Sequence, residues 1–280
     1  METGLTLWAH DLAQIVKGHL HGPDRPILGA CSLTSPLADH LTYLRPDYSR
    51  AHLVEAALGV GAILLARNVP DGMDDDCSVI VTPDPRHAFN VALNLLTPQE
   101  RPEGWHSSAT IHPTAEIHPS VSIGPYSCIG PRVRIGEDTL VRSHAVIGGP
   151  GFSITSDETG GMLHFPHFGG ITIGSRVHIG SFSTIREGTL DPTEIADDVH
   201  LDDHVHVAHN CRIDRRVVIT AGAKLAGSVT VEEGVWIGLN ATIADGLTIG
   251  SQTLVGAGSV VLKDCEPEST YFGNPARKFS

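Results

Sequence analysis

The 280-residue chain carries 19 Lys and Arg against 32 Asp and Glu, a formal net charge of −13. That balance excludes nonspecific binding to nucleic acid or to an anionic membrane. Apolar residues at 41 % permit a buried core, and aromatics at only 5 % make that core aliphatic.

The N-terminal stretch METGLTLWAHDLAQIVKGHL has no basic leader and reads as an amphipathic helix rather than a signal peptide. LAQIVKGHL keeps helical spacing, AHLVEAAL predicts a second helix and GAILLA a buried strand. SVIVTP is another strand, and DPRHAFNVALNLL a helix capped by Asp84. Residues 1–104 therefore read as a small α/β domain, and the polar, proline-bearing TPQERPEGWHSS as a linker. Five widely spaced cysteines without a CxxC fit reduced thiols in a cytoplasm. The longest apolar run, ALGVGAILLA, is too short to span a bilayer.

From residue 105 to 265 the pattern changes. Ile111, Ile117, Ile123, Ile129, Ile135, Val141 and Ile147 recur every six residues. The register resumes at Ile173, Ile179 and Ile185, and again from Ile195 through Leu201, Val207, Ile213 and onward to Val261. Glycine often follows the aliphatic, as at Gly124, Gly136 and Gly180. A period of six is neither helical nor a simple strand alternation; it predicts a parallel β-helix of hexapeptide repeats, three hexads and 18 residues to a coil, about seven coils in all. The aliphatics point into the column, and the turns need small residues. Residues 266–280 read as a short C-terminal tail.

Two stretches break the register. GGPGFSITSDETGGMLHFPHFGG, 148–170, is either a functional loop or a bare surface hairpin, and EGTLDPTE, 187–194, a register reset. Between Ile195 and Ile213 stands a histidine cluster, His200, His204, His206 and His209. Four histidines in ten residues suit a metal site, a catalytic base with helpers, or a wet surface. His209 follows the inward Val207 by two positions, and Gly227 follows His209 by one full coil, so stacking sets the two side by side.

The order of blocks LAQIVKGHLHG, ILGACSLTSPLADHLTYL, GGPGF, IGSFSTIREGTLDPTEI, LDDHVHVAHNCRI and LAGSVTV resembles the UDP-3-O-(3-hydroxyacyl)glucosamine N-acyltransferases of the lipid A pathway. The resemblance implies a left-handed column behind a uridine-binding α/β domain, a homotrimer with active sites in the grooves between subunits, and a cytoplasmic location. It implies transfer of an acyl group from acyl-ACP or acyl-CoA, as co-substrate, to the amine of a nucleotide-linked amino sugar, with no other cofactor and no metal. His209 matches the family base and Gly227 its backbone oxyanion donor. Tyr43 matches the uracil-contacting aromatic. Asp202 matches a family aspartate, either orienting His209 or a neighbouring subunit's histidine or standing as a solvated turn acid, Asn210 follows the base, and His206 stands where the family has a polar amide. Phe152, His164 and His167 are candidates to line the sugar pocket. The chain departs from the pattern at several points. Arg186-Glu187-Gly188 replaces Asp-Arg-Gly, Arg45-Pro46 falls where a uracil-contacting Asn is expected, and Asp245-Gly246 falls near a second family histidine. The column is about two coils shorter, and the sequence ends GNPARKFS where the family has a helical tail. That leaves acyl-CoA open as donor, with Arg212, Arg215, Arg216, Arg277 and Lys278 as candidate contacts for phosphates or an acidic carrier. The rival classes are a zinc enzyme like the γ-carbonic anhydrases, using His204-x4-His209, and a non-catalytic trimeric scaffold that binds sugar nucleotides.

Overall fold

The computed structural model describes residues 7–45, 51–71, 73, 76–97 and 104–279. The chain divides into two compact units, Met1–Glu100 and Arg101–Ser280.

The N-terminal unit contains α1 (Ala9–Ile15), β1 (His19–His21), β2 (Gly29–Ala30), β3 (His40–Tyr43), α2 (Ala51–Gly59), β4 (Ile63–Ala66), β5 (Val79–Val81) and α3 (Pro85–Leu96). The sheet order is β1-β5-β4-β3-β2, parallel except for β1 against β5. β4, the GAILLA strand, is buried at every position, as a central parallel strand should be. Asp84 caps α3 by accepting from His87 N–H at 3.0 Å. The helical spacing of LAQIVKGHL overruns its helix. Lys17 adopts φ 53°, and a Cβ on Gly18 would lie 2.5 Å from Val81 O. The chain reverses there, and His19–His21 joins the sheet instead. The first six residues of the expected amphipathic helix lie outside the described residues, as do residues 98–103 of the expected linker. The linker's other end already belongs to the second unit, because Trp105 pairs with Ile123.

The second unit is a three-faced parallel β-helix. One face begins at Glu116–Ile117 and has seven strands. The next begins at Ser122–Ile123 and has nine, and the third begins at Thr110–Ile111 and has eight. Each turn of the chain visits the faces in that order. Partners stand 18 residues apart, as with Val207↔Leu225, except across the inserts, where Ile147 pairs with Ile185 and Ile185 with Val207, and at the last coil, where Leu254 pairs with Thr270. Ile111 and Ile117, in the first coil, are half-buried, and the other hexad aliphatics are buried. Each such side chain contributes about 1.5–3 kcal/mol of transfer free energy. Val121, Ala145, Val205, Cys211 and Ala223, two positions before a hexad aliphatic, are buried as a second inward row. In the tail expected at 266–280, Thr270–Gly273 adds a strand beyond Leu254–Val255 and turns back onto Ala276–Phe279.

The glycine rule for the turns needs correcting. The glycine after the aliphatic serves close approach of coils, since a Cβ on Gly180 would meet Asp202 C at 2.3 Å. The left-handed residue comes two positions later, and it is often large: Tyr126, His144, Phe182 and His204 all have φ near 60°. Their rings stack in a ladder at centroid spacings of 5.2, 4.7 and 5.1 Å, a contact that offsets the backbone cost.

Candidate functional site

The four histidines point to four different places. His200 faces outward on the nine-stranded face, at the edge of the His178 ring. His204 caps the corner ladder on Phe182. His206 lies outward on the eight-stranded face, its Nδ1 2.6 Å from Thr184 Oγ1, and burial, helped by Arg186 and Lys224, holds its pKa below the ordinary value. His209 alone stands at the corner between the eight-stranded and seven-stranded faces. His204 and His209 thus lie on different corners, and among the described residues no three His, Cys, Asp or Glu side chains are grouped to hold a metal ion.

The corner of His209 is built by the two inserts. Asn210 takes the left-handed φ of 58° that Asn tolerates, and its N–H donates to Thr193 Oγ1 at 2.9 Å. Its Oδ1 accepts from Thr189 N–H at 3.1 Å and Thr189 Oγ1–H at 2.8 Å, and lies 3.0 Å from His209 Nδ1. A backbone N–H only donates, so the atom facing Thr189 is the amide oxygen. Nδ1 of His209 must then carry the proton, and Nε2 keeps its lone pair. Residues 187–194 therefore do more than reset the register. They brace the imidazole through Thr189 and Thr193, and neither threonine stands out in the sequence. The only signal there is two threonines in a turn-rich insert that interrupts the hexads.

The longer insert projects an antiparallel hairpin, Ile154–Ser156 against Met162–His164, and both its ends return to the column. Phe168 N–H and Gly169 N–H donate to Thr189 O and Gly188 O. Glu187, 3 % exposed, is paired with Arg132 at 2.8 Å. Gly151 passes over His209 so closely that a Cβ there would lie 2.6 Å from its Cδ2 and 2.7 Å from His167 Nε2. The rings of His167 and His209 meet edge to face at 5.1 Å. Of the three pocket candidates in the insert, only His167 meets His209. Phe152 is 79 % exposed and packs on the exposed His164.

His167 is 4 % exposed, and neither ring nitrogen has a protein partner. Such atoms cost about 1–3 kcal/mol each. His167→Leu removes both and is expected to raise Tm by about 2–4 °C for each kcal/mol recovered, while weakening turnover. Thermal unfolding alongside activity checks this; a lower Tm with intact turnover would show the imidazole to be structural.

Gly227 lies one coil beyond His209. Ser228 N–H donates to His209 O at 2.9 Å, and a Gly227 Cβ would lie 2.8 Å from Nε2. Among the described residues the Gly227 N–H has no protein acceptor. Asp245, one coil further, brings its Oδ1 to 2.7 Å from that same Cβ point. Asp202 is not at this corner: its oxygens accept from Asp203 N–H and Ala221 N–H, so it ties two turns and does not orient His209 of its own chain. Cys211 points inward, where burial pushes its thiol up to about 12 and removes it as a nucleophile. The expected cationic contacts are largely occupied. Arg212 pairs with Asp214, Arg215 and Arg216 with Glu233, and Lys278 with Glu266.

In the N-terminal unit, Tyr43 and Phe89 meet at 4.9 Å beside a cavity of about 500 Å³ that is also lined by Cys31, Ser32, Thr34 and Arg45. Arg45, standing where an Asn was expected, donates from Nε to Tyr43 Oη at 3.3 Å. Two rings and a guanidinium around a polar-rimmed cavity suit a planar heterocycle.

Residues 108–149 match the family described as bacterial transferase hexapeptide (six repeats). Over 77 residues the chain is 44 % identical to the UDP-3-O-acylglucosamine N-acyltransferase of Coxiella burnetii (strain Dugway 5J108-111), and over 78 residues it is 42 % identical to that of Pseudomonas syringae pv. tomato. Each match covers 28 % of this chain and 22 % of the relative, so the chain aligns with about a fifth of the length of these curated relatives. Among solved structures, the UDP-N-acetylglucosamine acyltransferase of Francisella novicida aligns with a TM-score of 0.53 at 24 % identity, over 63 % of this chain and 70 % of that one. LpxA of Acinetobacter baumannii aligns at 0.51 and 28 % identity, over 62 % and 73 %.

Proposed function

We propose that this hexapeptide-repeat protein is an N-acyltransferase that moves an acyl group from a thioester, acyl-ACP or acyl-CoA, to the amine of a nucleotide-linked amino sugar, as the names of its partial relatives suggest. One observation carries the reading. The Thr189–Asn210–His209 chain of hydrogen bonds fixes the tautomer that leaves Nε2 basic, and aims it at the space over Gly227.

In this mechanism Nε2 takes a proton from the amine as its lone pair attacks the thioester carbon. The carbonyl electrons move to oxygen, and the Gly227 N–H stabilises that charge. Collapse restores the carbonyl and breaks the C–S bond, and the proton on His209 passes to the departing thiolate. Asn210 stabilises the imidazolium by holding Nδ1–H throughout. His167 offers an unmet hydrogen-bonding group to the sugar. The working form is a homotrimer in the cytoplasm. The nine-stranded face supports the trimer, because its outward row includes Val218, Trp236 and Leu254, with Trp236 48 % exposed.

The test is a panel of UDP- and dTDP-amino sugars, each incubated with acyl-ACP or acyl-CoA, with products read by mass. An amide product supports the assignment and names its substrates. Absence of any amide product across the panel overturns it.

A further inference from the structure

Acyl transfer at this corner restricts where the attacking atom can stand, and the inference about Asp245 rests on that proposed reaction. The atom must lie within hydrogen-bond reach of His209 Nε2, and close enough over Gly227 for the carbonyl oxygen to meet that residue's N–H. The Cα–Cβ direction of Gly227 points toward this space, and a Cβ built there would lie 2.8 Å from Nε2. A third side chain borders it. Asp245 Oδ1 is 2.7 Å from the same point, brought there by the 18-residue coil repeated twice from His209. Asp245 is exposed, and among the described residues its carboxylate has no hydrogen-bond or ion-pair partner. It therefore neither caps a turn, as Asp202 does, nor anchors a cation.

We infer that Asp245 makes the site selective for an amine over a hydroxyl nucleophile. The two nucleophiles differ in how many hydrogens they bring. A neutral amine has two N–H groups and one lone pair. The lone pair goes to the thioester carbon, one N–H to Nε2, and the second needs an acceptor, which Asp245 supplies. After the C–N bond forms and the C–S bond breaks, the first proton has gone through His209 to the thiolate. The second stays on the amide nitrogen, still donated to Asp245. A hydroxyl brings one O–H, already committed to Nε2. Its remaining lone pair would face the carboxylate, and two acceptors with no hydrogen between them repel. The same carboxylate is thus an anchor for one acceptor class and a barrier to the other.

The experiment uses the full chain, the amino sugar that the panel identifies, and its isostere with a hydroxyl in place of the amine. Wild type is compared with Asp245→Ala and Asp245→Asn by kcat/KM on both acceptors. A hydrogen bond to a charged acceptor predicts a loss of about 10–100-fold on the amine for Asp245→Ala. The hydroxyl isostere should be used no worse than by wild type, so the amine-to-hydroxyl ratio collapses. Asp245→Asn keeps an oxygen that can accept from the amine but adds an N–H that can meet the hydroxyl lone pair, so it should spare more of the amine rate than Asp245→Ala while still lowering the ratio. An unchanged Tm checks that the exposed turn has not been disturbed. If Asp245→Ala lowers both acceptors equally, or leaves the ratio where wild type has it, the inference is overturned while the acyltransferase reading stands. If wild type makes no amide from any panel member, the acyltransferase reading itself falls.

Discussion

His209→Ala is expected to lower kcat for acyl transfer by about 10²–10⁴-fold, the range typical of a lost general base, with little change in Tm. The two halves of that expectation have separate causes. The imidazole is half-buried at a corner and lies outside the aliphatic column core, so its removal empties none of the packing made by Val207, Ile213 or Leu225. What it removes is the one nitrogen whose lone pair is fixed toward Gly227. Asn210→Ala should be milder. The imidazole survives, but its tautomer and ring orientation are no longer set, so kcat falls by less than in His209→Ala. Steady-state kinetics with thermal unfolding on both variants decides the matter. Turnover by His209→Ala within a few-fold of wild type would remove the base from this corner.

The column is legible in the sequence because its physics is periodic. Ile123, Ile129 and Ile135 repeat at six since each face of the coil needs one inward aliphatic, and the same period sets Gly227 beside His209. What the period does not encode is how side chains cross between coils at a corner. Spacing leaves Asp202 open as a partner of His209, a partner of a neighbouring subunit's histidine or a turn acid; within the chain it stands at the corner of His204, where its carboxylate ties neighbouring turns. Thr189 and Thr193 support the base, yet they sit in an insert where the register is lost, so no spacing rule reaches them. His167 is, by sequence, one of three candidates of equal standing in the long insert. Only the fold-back of its C-terminal end onto Gly188 and Thr189 separates it from Phe152 and His164. In the N-terminal unit, helical spacing through LAQIVKGHL loses to sheet pairing at His19–His21, a long-range contact that local periodicity does not register.

Gly227→Ala should be nearly as damaging as loss of the base, for a different reason. Gly227 is not in the left-handed region, so alanine adopts its backbone without strain and keeps the N–H. The backbone therefore costs nothing, and any loss of stability comes from the side chains that the methyl must displace. The new methyl, however, would lie 2.7 Å from His209 Cε1, 2.8 Å from Nε2 and 2.7 Å from Asp245 Oδ1. Asp245 is exposed and can swing away, whereas His209 moves only by breaking its 3.0 Å contact with Asn210 Oδ1. Either the methyl fills the space that the attacking atom needs, or the base is displaced from it. A misplacement of about 1 Å at a reacting centre costs on the order of 100-fold. Combining Gly227→Ala with His209→Ala tests the shared cause. If both act on the same reacting space, the double variant is little worse than His209→Ala alone, because removing the ring also removes its clash. Losses that multiply would instead mean that Gly227 and His209 serve separate steps, and would break the assignment of a single reactive corner.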